Sequence, residues 1–100
     1  MEVKKAAMAG TLESSDAQVT VEPADTLELN ISSSVLNQYG RQIRETVLET
    51  LEQLEVKSGT VTVIDKGALD FTLKARVECA VFRSSGASEK NIPWGGAIHA

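Results

Sequence analysis

Leu69-Asp70-Phe71-Thr72-Leu73-Lys74-Ala75-Arg76-Val77-Glu78-Cys79-Ala80-Val81-Phe82-Arg83 fits two secondary structures, and the choice between them decides the fold. Phe71, Leu73, Ala75, Val77, Cys79 and Val81 alternate with Asp70, Thr72, Lys74, Arg76 and Glu78, the period of two expected of a long strand. Leu69, Leu73, Val77 and Ala80 also share one helical stripe, with Asp70 placed to cap it and Asp70–Lys74 and Lys74–Glu78 at helix spacing. A helix would leave Phe71, Ala75, Cys79 and Phe82 as a second apolar stripe in need of a partner. Alternation alone therefore favours a strand, in hairpin with the run before it.

That preceding run, Thr60-Val61-Thr62-Val63-Ile64, reads as a strand from its β-branched content. Asp65-Lys66-Gly67 reads as a turn in which Gly67 is free to take a positive φ. Further back lies a strong helical period: Val35, Tyr39, Ile43, Val47, Leu51 and Leu54 recur at three and four residues, widened by Leu36 and Leu48. The spacing predicts a helix over 35–55, with Ser34 as its N-cap and Lys57-Ser58-Gly59 ending it. Gln18-Val19-Thr20-Val21-Glu22 and Leu27-Glu28-Leu29-Asn30-Ile31 alternate polar and apolar side chains around Pro23 and an Ala24-Asp25-Thr26 turn, and they read as an antiparallel hairpin. Residues 1–8 read as a flexible arm and residues 84–100 as an irregular tail, in which Trp94 either docks on the domain or meets a partner.

One hundred residues suit a single domain, and an apolar content of 42% with four aromatic residues implies a mostly aliphatic core. The formal charge of −4 and the lack of any basic run longer than Lys4-Lys5 argue against nucleic-acid binding. The sequence has no apolar run near the length that crosses a bilayer and no secretory signal, so the expected location is the cytoplasm. Cys79 is a lone cysteine and is expected to be a buried reduced thiol; His99 is a lone histidine, which leaves little from which to build a metal site or a histidine-driven pair.

Ala9-Gly10-Thr11-Leu12-Glu13-Ser14-Ser15-Asp16 is the stretch on which function turns. It reads as a polar loop tip between strands, where serines commonly cap turns through their own backbone. Glu13 and Asp16 lie together in one short loop where water keeps both ionised, so neither reads as a tuned acid. Arg76, Glu78 and Arg83 are most simply a solvated face. A small acidic domain of this kind can still serve chemistry by carrying a reacting group on a flexible covalent arm, which makes delivery intramolecular. Such a carrier needs an exposed hydroxyl or amine at a loop tip, and Ser14 and Ser15 both offer one.

The Ala9–Asp16 run closely resembles the acyl carrier protein (gamma subunit) family of citrate lyase. The likeness continues through Ile31-Ser32-Ser33-Ser34-Val35, Tyr39-Gly40, Ile43-Arg44, Asp65-Lys66-Gly67-Ala68-Leu69-Asp70, Ala75-Arg76-Val77-Glu78 and Pro93-Trp94. It spans nearly the whole chain in order and spacing, and the Asp-Ser-Leu attachment signal of fatty-acid carriers is absent. The resemblance implies a non-catalytic subunit with Ser14 as the attachment site, through a phosphodiester, of a group derived from 2'-(5''-triphosphoribosyl)-3'-dephospho-coenzyme A. It implies that the terminal thiol of that group holds acetyl and citryl thioesters while citrate is cleaved to acetate and oxaloacetate. The implied partners are the transferase (alpha) and lyase (beta) subunits, the attachment enzyme and an acetylating ligase. In several members of the family a Gly follows the modified serine, so Ser15 here is a second hydroxyl beside it. Glu13 and Asp16 are implied as features read by the attachment enzyme. The alternative is an assembly module of a multisubunit enzyme that carries no cofactor of its own.

A related carrier, that of malonate decarboxylase, has a proline at the position matching Asp70. Proline suits the first turn of a helix and does not suit the interior of a paired strand. On that ground the expected fold is α+β: a mixed or antiparallel sheet of three to four strands, with helices over 35–55 and 69–83 packed on it. The competing form has residues 69–82 as a long strand.

Overall fold

The computed structural model describes residues 1–33 and 36–86, so the expected cap Ser34 and the tail around Trp94 lie outside the described residues. The elements there are β1 (Ala7–Gly10), β2 (Ala17–Glu22), β3 (Leu27–Ser33), α1 (Leu36–Gln53), β4 (Gly59–Asp65) and α2 (Asp70–Ser85). The strands form one sheet in the order β1-β2-β4-β3, antiparallel except for the β3–β4 pair. The fold is therefore α+β with a mixed sheet, and the contested stretch is a helix.

Two helices are needed because of the width of the sheet. Four strands about 4.8 Å apart make a face roughly 15–19 Å across, whereas one helix covers about 10 Å. α2 packs over β1 and β2, α1 lies over β3, and the two helices touch each other. Leu73, Val77, Ala80, Val81 and Ser84 form the inward stripe of α2, all 0–1% exposed. Phe71, whose position makes the sequence look alternating, is 71% exposed. Of the second apolar stripe Phe82 is buried, while Ala75 and Cys79 are half-buried at its edge. Asp70 is not the cap it resembles: Leu69 holds the N-cap position with no side-chain bond, and the Asp70 carboxylate accepts from Gln42 Nε2 at 2.9 Å.

The expected hairpin of residues 18–22 with 27–31 does not form, because β4 lies between those strands. Val63 stands opposite Val19 and Ile31, and Val61 opposite Val21 and Leu29. β4 is the natural centre, since Thr60–Ile64 are all β-branched and its inner valines are wholly buried. β3 and β4 are parallel, so the chain must cross over between them, and the 18 residues of α1 make that crossing. α1 ends slightly earlier than the expected Glu55, which takes a left-handed φ of 56°. The inner residues of β3, Leu27, Leu29 and Ile31, stay partly exposed, as suits an edge strand. The opposite face of the sheet carries Gln18, Thr20, Thr62, Asn30 and Ser32.

Residues 1–8, expected as an arm, contain buried Val3 and the start of β1. Lys5 N–H donates to Ser84 Oγ, whose hydroxyl in turn donates to Lys5 O at 2.5 Å. Among the described residues no helix is long and apolar enough to cross a membrane.

Helix and strand predict different mutational costs here. Leu73→Ala should lose about 2–5 kcal/mol in urea unfolding, while Phe71→Ser should change stability by about 0.5 kcal/mol or less. Equal losses would show that the two side chains share a buried face.

Candidate functional site

β1 runs antiparallel to β2, and β2 to β4, while β3 parallels β4. The C-terminal ends of β1, β3 and β4 therefore lie along the same edge of the sheet. The loop over residues 11–16, which joins β1 to β2, sits at that edge beside the turn that leads into α2.

The loop begins at Gly10, whose φ is +90° and where an added Cβ would fall 1.8 Å from the Ala17 carbonyl oxygen. No side chain fits there, so glycine is what lets the chain fold back so tightly. Glu13 N–H donates to Thr11 Oγ1 at 3.2 Å, and the Thr11 hydroxyl donates to Asp16 Oδ2 at 2.7 Å. Asp16 N–H donates to the Glu13 carbonyl at 3.2 Å and closes the turn. Ser15 N–H donates to Lys66 O at 2.8 Å, and Lys66 N–H donates to Asp16 O at 2.9 Å, which ties the loop to the end of β4.

Asp16 is the anchor of this arrangement. Its Oδ1 accepts from Ala17 N–H at 2.7 Å and from Arg76 Nε at 2.9 Å, and Oδ2 accepts from Arg76 Nη2 at 3.2 Å as well as from Thr11. The Arg76 hydrogen bond, followed by that of the Thr11 hydroxyl, holds the carboxyl well below the usual carboxylate range, with desolvation opposing. The Arg76 guanidinium is correspondingly raised, first by its bond to Asp16. Asp16 and Glu13, neighbours in one loop, stand in different environments. Glu13 is exposed, whereas the Asp16 carboxylate is spent on holding the loop to α2.

Ser14 and Ser15 are both exposed, and their backbones differ. Ser15 takes a left-handed φ of 65°, a conformation in which glycine is at ease and a side chain is not, and its N–H is bound to Lys66. That geometry would suit a glycine at position 15 at least as well as the serine present. The Ser14 hydroxyl has no hydrogen-bond partner among the described residues. Below the loop, Asp65 is buried and organises the next turn: Oδ2 accepts from Ser33 Oγ at 2.8 Å and Gly67 N at 3.1 Å, and Oδ1 from Ala68 N at 3.0 Å. Gly67 takes the expected positive φ of 91°.

The expected solvated face of the last element holds at Arg83, which is exposed, and gives way at Arg76 and Glu78. Arg76 clasps Asp16, Glu78 is 1% exposed, and Arg83 Nη1 donates to the Met8 carbonyl at 2.7 Å. No local signal could have linked Arg76 to Asp16, which lies 60 positions away. Among the described residues no group of three His, Cys, Asp or Glu side chains could hold a metal ion, and Cys79 is a half-buried free thiol.

A free hydroxyl at the apex of a firmly tied loop is open to covalent modification. Comparison with known proteins points the same way. The family model described as "ACP: Malonate decarboxylase delta subunit (MdcD)" matches residues 4–84. A citrate lyase acyl carrier protein of Fusobacterium nucleatum subsp. nucleatum is 50% identical over 91 residues, covering 89% of this chain and 97% of the relative. One from Treponema denticola is 49% identical over 85 residues, 85% of this chain and 98% of the relative. A chain of the Pseudomonas malonate decarboxylase hetero-tetramer, crystallised in complex with malonate, shares the fold. It has a TM-score of 0.70 at 21% identity, over 81% of this chain and 84% of that one. The chain belongs to this family of acyl carrier proteins.

If Asp16–Arg76 fastens the loop, Arg76→Ala and Asp16→Asn should each cost about 1–2 kcal/mol and speed amide exchange in residues 11–16. The folded pKa of Asp16 is depressed, so its contribution is fully present above about pH 4 and is lost as pH falls toward the folded value. Asp16→Asn should therefore flatten the acid limb of the stability–pH curve, and an unchanged limb would remove Asp16 as its source.

Proposed function

We propose that this chain is the covalent carrier subunit of a citrate lyase, loaded at Ser14. The observation that carries the reading is that relatives named citrate lyase acyl carrier protein match nearly their full length at about half identity, with an unpartnered Ser14 hydroxyl at the loop tip. The residues present fit a phosphodiester-linked group: the Ser14 hydroxyl is exposed, and nothing around it closes over the space a linked phosphate would need.

Loading would join Ser14 Oγ through a phosphodiester to the phosphoribosyl dephospho-coenzyme A group, with the serine giving up its proton and pyrophosphate leaving the triphosphate precursor. Once bound, the group supplies a terminal thiol able to hold acetyl or citryl chains as thioesters. The chain's own residues position and present. Gly10 and the left-handed Ser15 turn the backbone so that Ser14 faces outward, and Asp16, through Arg76, keeps that turn against α2. Exposed Glu13 remains available to the attachment enzyme, and the role of Asp16 in recognition is to fix the shape of the loop that enzyme reads. Bond cleavage and acyl exchange belong to the larger lyase and transferase subunits, and reacetylation to a ligase.

Ser14 is favoured over Ser15 because the Ser15 backbone is committed to Lys66 and to a geometry that glycine can supply. Purified from cells that make the cofactor and its attachment enzyme, the chain should show an intact-mass increase that maps to residues 11–16. Ser14→Ala should abolish it, while Ser15→Gly should keep it. An adduct that survives Ser14→Ala would overturn the site, and a native complex holding the chain always unmodified would favour the assembly module.

A further inference from the structure

An open groove of about 470 Å³ lies between α1 and the turn that leads from β4 into α2. Gln42 and Ile43 form one wall, and Ala68, Leu69, Asp70 and Phe71 form the other. Folding leaves two of these side chains uncovered. Leu69 is 63% and Phe71 71% exposed, although the following turns of the same helix bury Leu73, Val77 and Val81. Two large apolar side chains left in water beside a cavity offer an apolar site to an occupant.

We propose that this groove holds the flexible arm attached at Ser14, sheltering it between visits to the larger subunits; the inference rests on the carrier reading above. Position selects this occupant. Ser15 N–H is 2.8 Å from the carbonyl of Lys66, and the residues on either side of Lys66, Asp65 and Gly67, both line the groove. With consecutive Cα atoms about 3.8 Å apart, the attachment point stands within roughly 10 Å of the groove's rim.

The chemistry also matches. A coenzyme A-type arm alternates short aliphatic units with amides. Ile43, Ala68, Leu69 and Phe71 supply apolar walls, and Gln42, whose Nε2 donates to Asp70 Oδ2 at 2.9 Å, keeps its Oε1 free among the described residues to accept an amide N–H. The Asp65 carboxylate is already filled by Ser33, Gly67 and Ala68, so it does not compete for the arm. Binding needs little intrinsic affinity, because the tether gives the arm an effective concentration in the millimolar range.

The test compares full-length apo chain with holo chain whose adduct is confirmed on Ser14 by mass. Holo chain should exchange amide hydrogens more slowly in residues 42–43 and 67–71. Its arm thiol should react with a disulfide reagent at least about twofold more slowly than coenzyme A, the factor for half-occupancy of the groove. The apo rate, which reports Cys79, is subtracted. Phe71→Ser should remove both effects while leaving adduct yield and stability unchanged. Changes confined to residues 11–16 would overturn the proposal, as would equal protection in apo and holo chains, which would assign the groove to another part of this chain. Protection that appears only when the larger subunits are added would assign it to a partner surface. Failure of any adduct to form in the presence of the attachment enzyme would overturn the carrier reading itself, and this inference with it.

Discussion

The burial of β4 between two strands of opposite direction is the constraint on which the rest of the domain depends. Val61 and Val63 are wholly inaccessible, each facing a residue of β2 on one side and of β3 on the other. Removing a valine side chain from water is worth about 1.5–3 kcal/mol, and these positions also set the register of both neighbours. Because the β3–β4 pair is parallel, α1 has to cross the face of the sheet. Because α1 covers only part of that face, the chain after β4 has to supply a second helix. The long alternating stretch thus becomes α2, and Phe71 is left in water.

The same strand places the loop over residues 11–16. At the end of β4, Asp65 pairs in register with Ala17 and Ser33, and Lys66 exchanges backbone hydrogen bonds with Ser15 and Asp16. Arg76 reaches the loop from α2 and takes up the Asp16 carboxylate. The loop is therefore held at both its base and its side, while its apex stays open. A carrier needs both properties, since a fixed loop can be recognised and an open hydroxyl can be modified.

Much of this was legible along the chain. The three- and four-residue spacing from Val35 to Leu54 marked α1, and Thr60–Ile64 marked β4. The hydroxyls in the 11–16 loop marked a candidate attachment site, although the residues alone favoured a structural turn. Resemblance to carrier proteins was needed to choose the helix over 69–83, since Phe71, Leu73 and Val77 satisfy a strand period as well as they populate a helix. The misreadings have a common cause. Strand partners, the cover of a sheet face and the partner of a charged side chain are set by residues far apart in sequence. The pairing of Gln18–Glu22 with a strand some forty residues on, rather than with its neighbour, left no local trace. Neither did the clasp of Asp16 by Arg76.

What the sequence determined by itself was local: which segments alternate, which repeat with a helical period, and where Gly67 permits a turn. Those properties come from backbone sterics and side-chain periodicity within a few residues. The tertiary structure alone decided that β4 is central, that Leu73 is buried while Phe71 is not, and that Ser14 stands free above a loop fastened by Asp16 and Arg76. Those outcomes depend on covering a four-strand face with two helices and on pairing a carboxylate with a guanidinium from another element, and both are properties of the assembled layers.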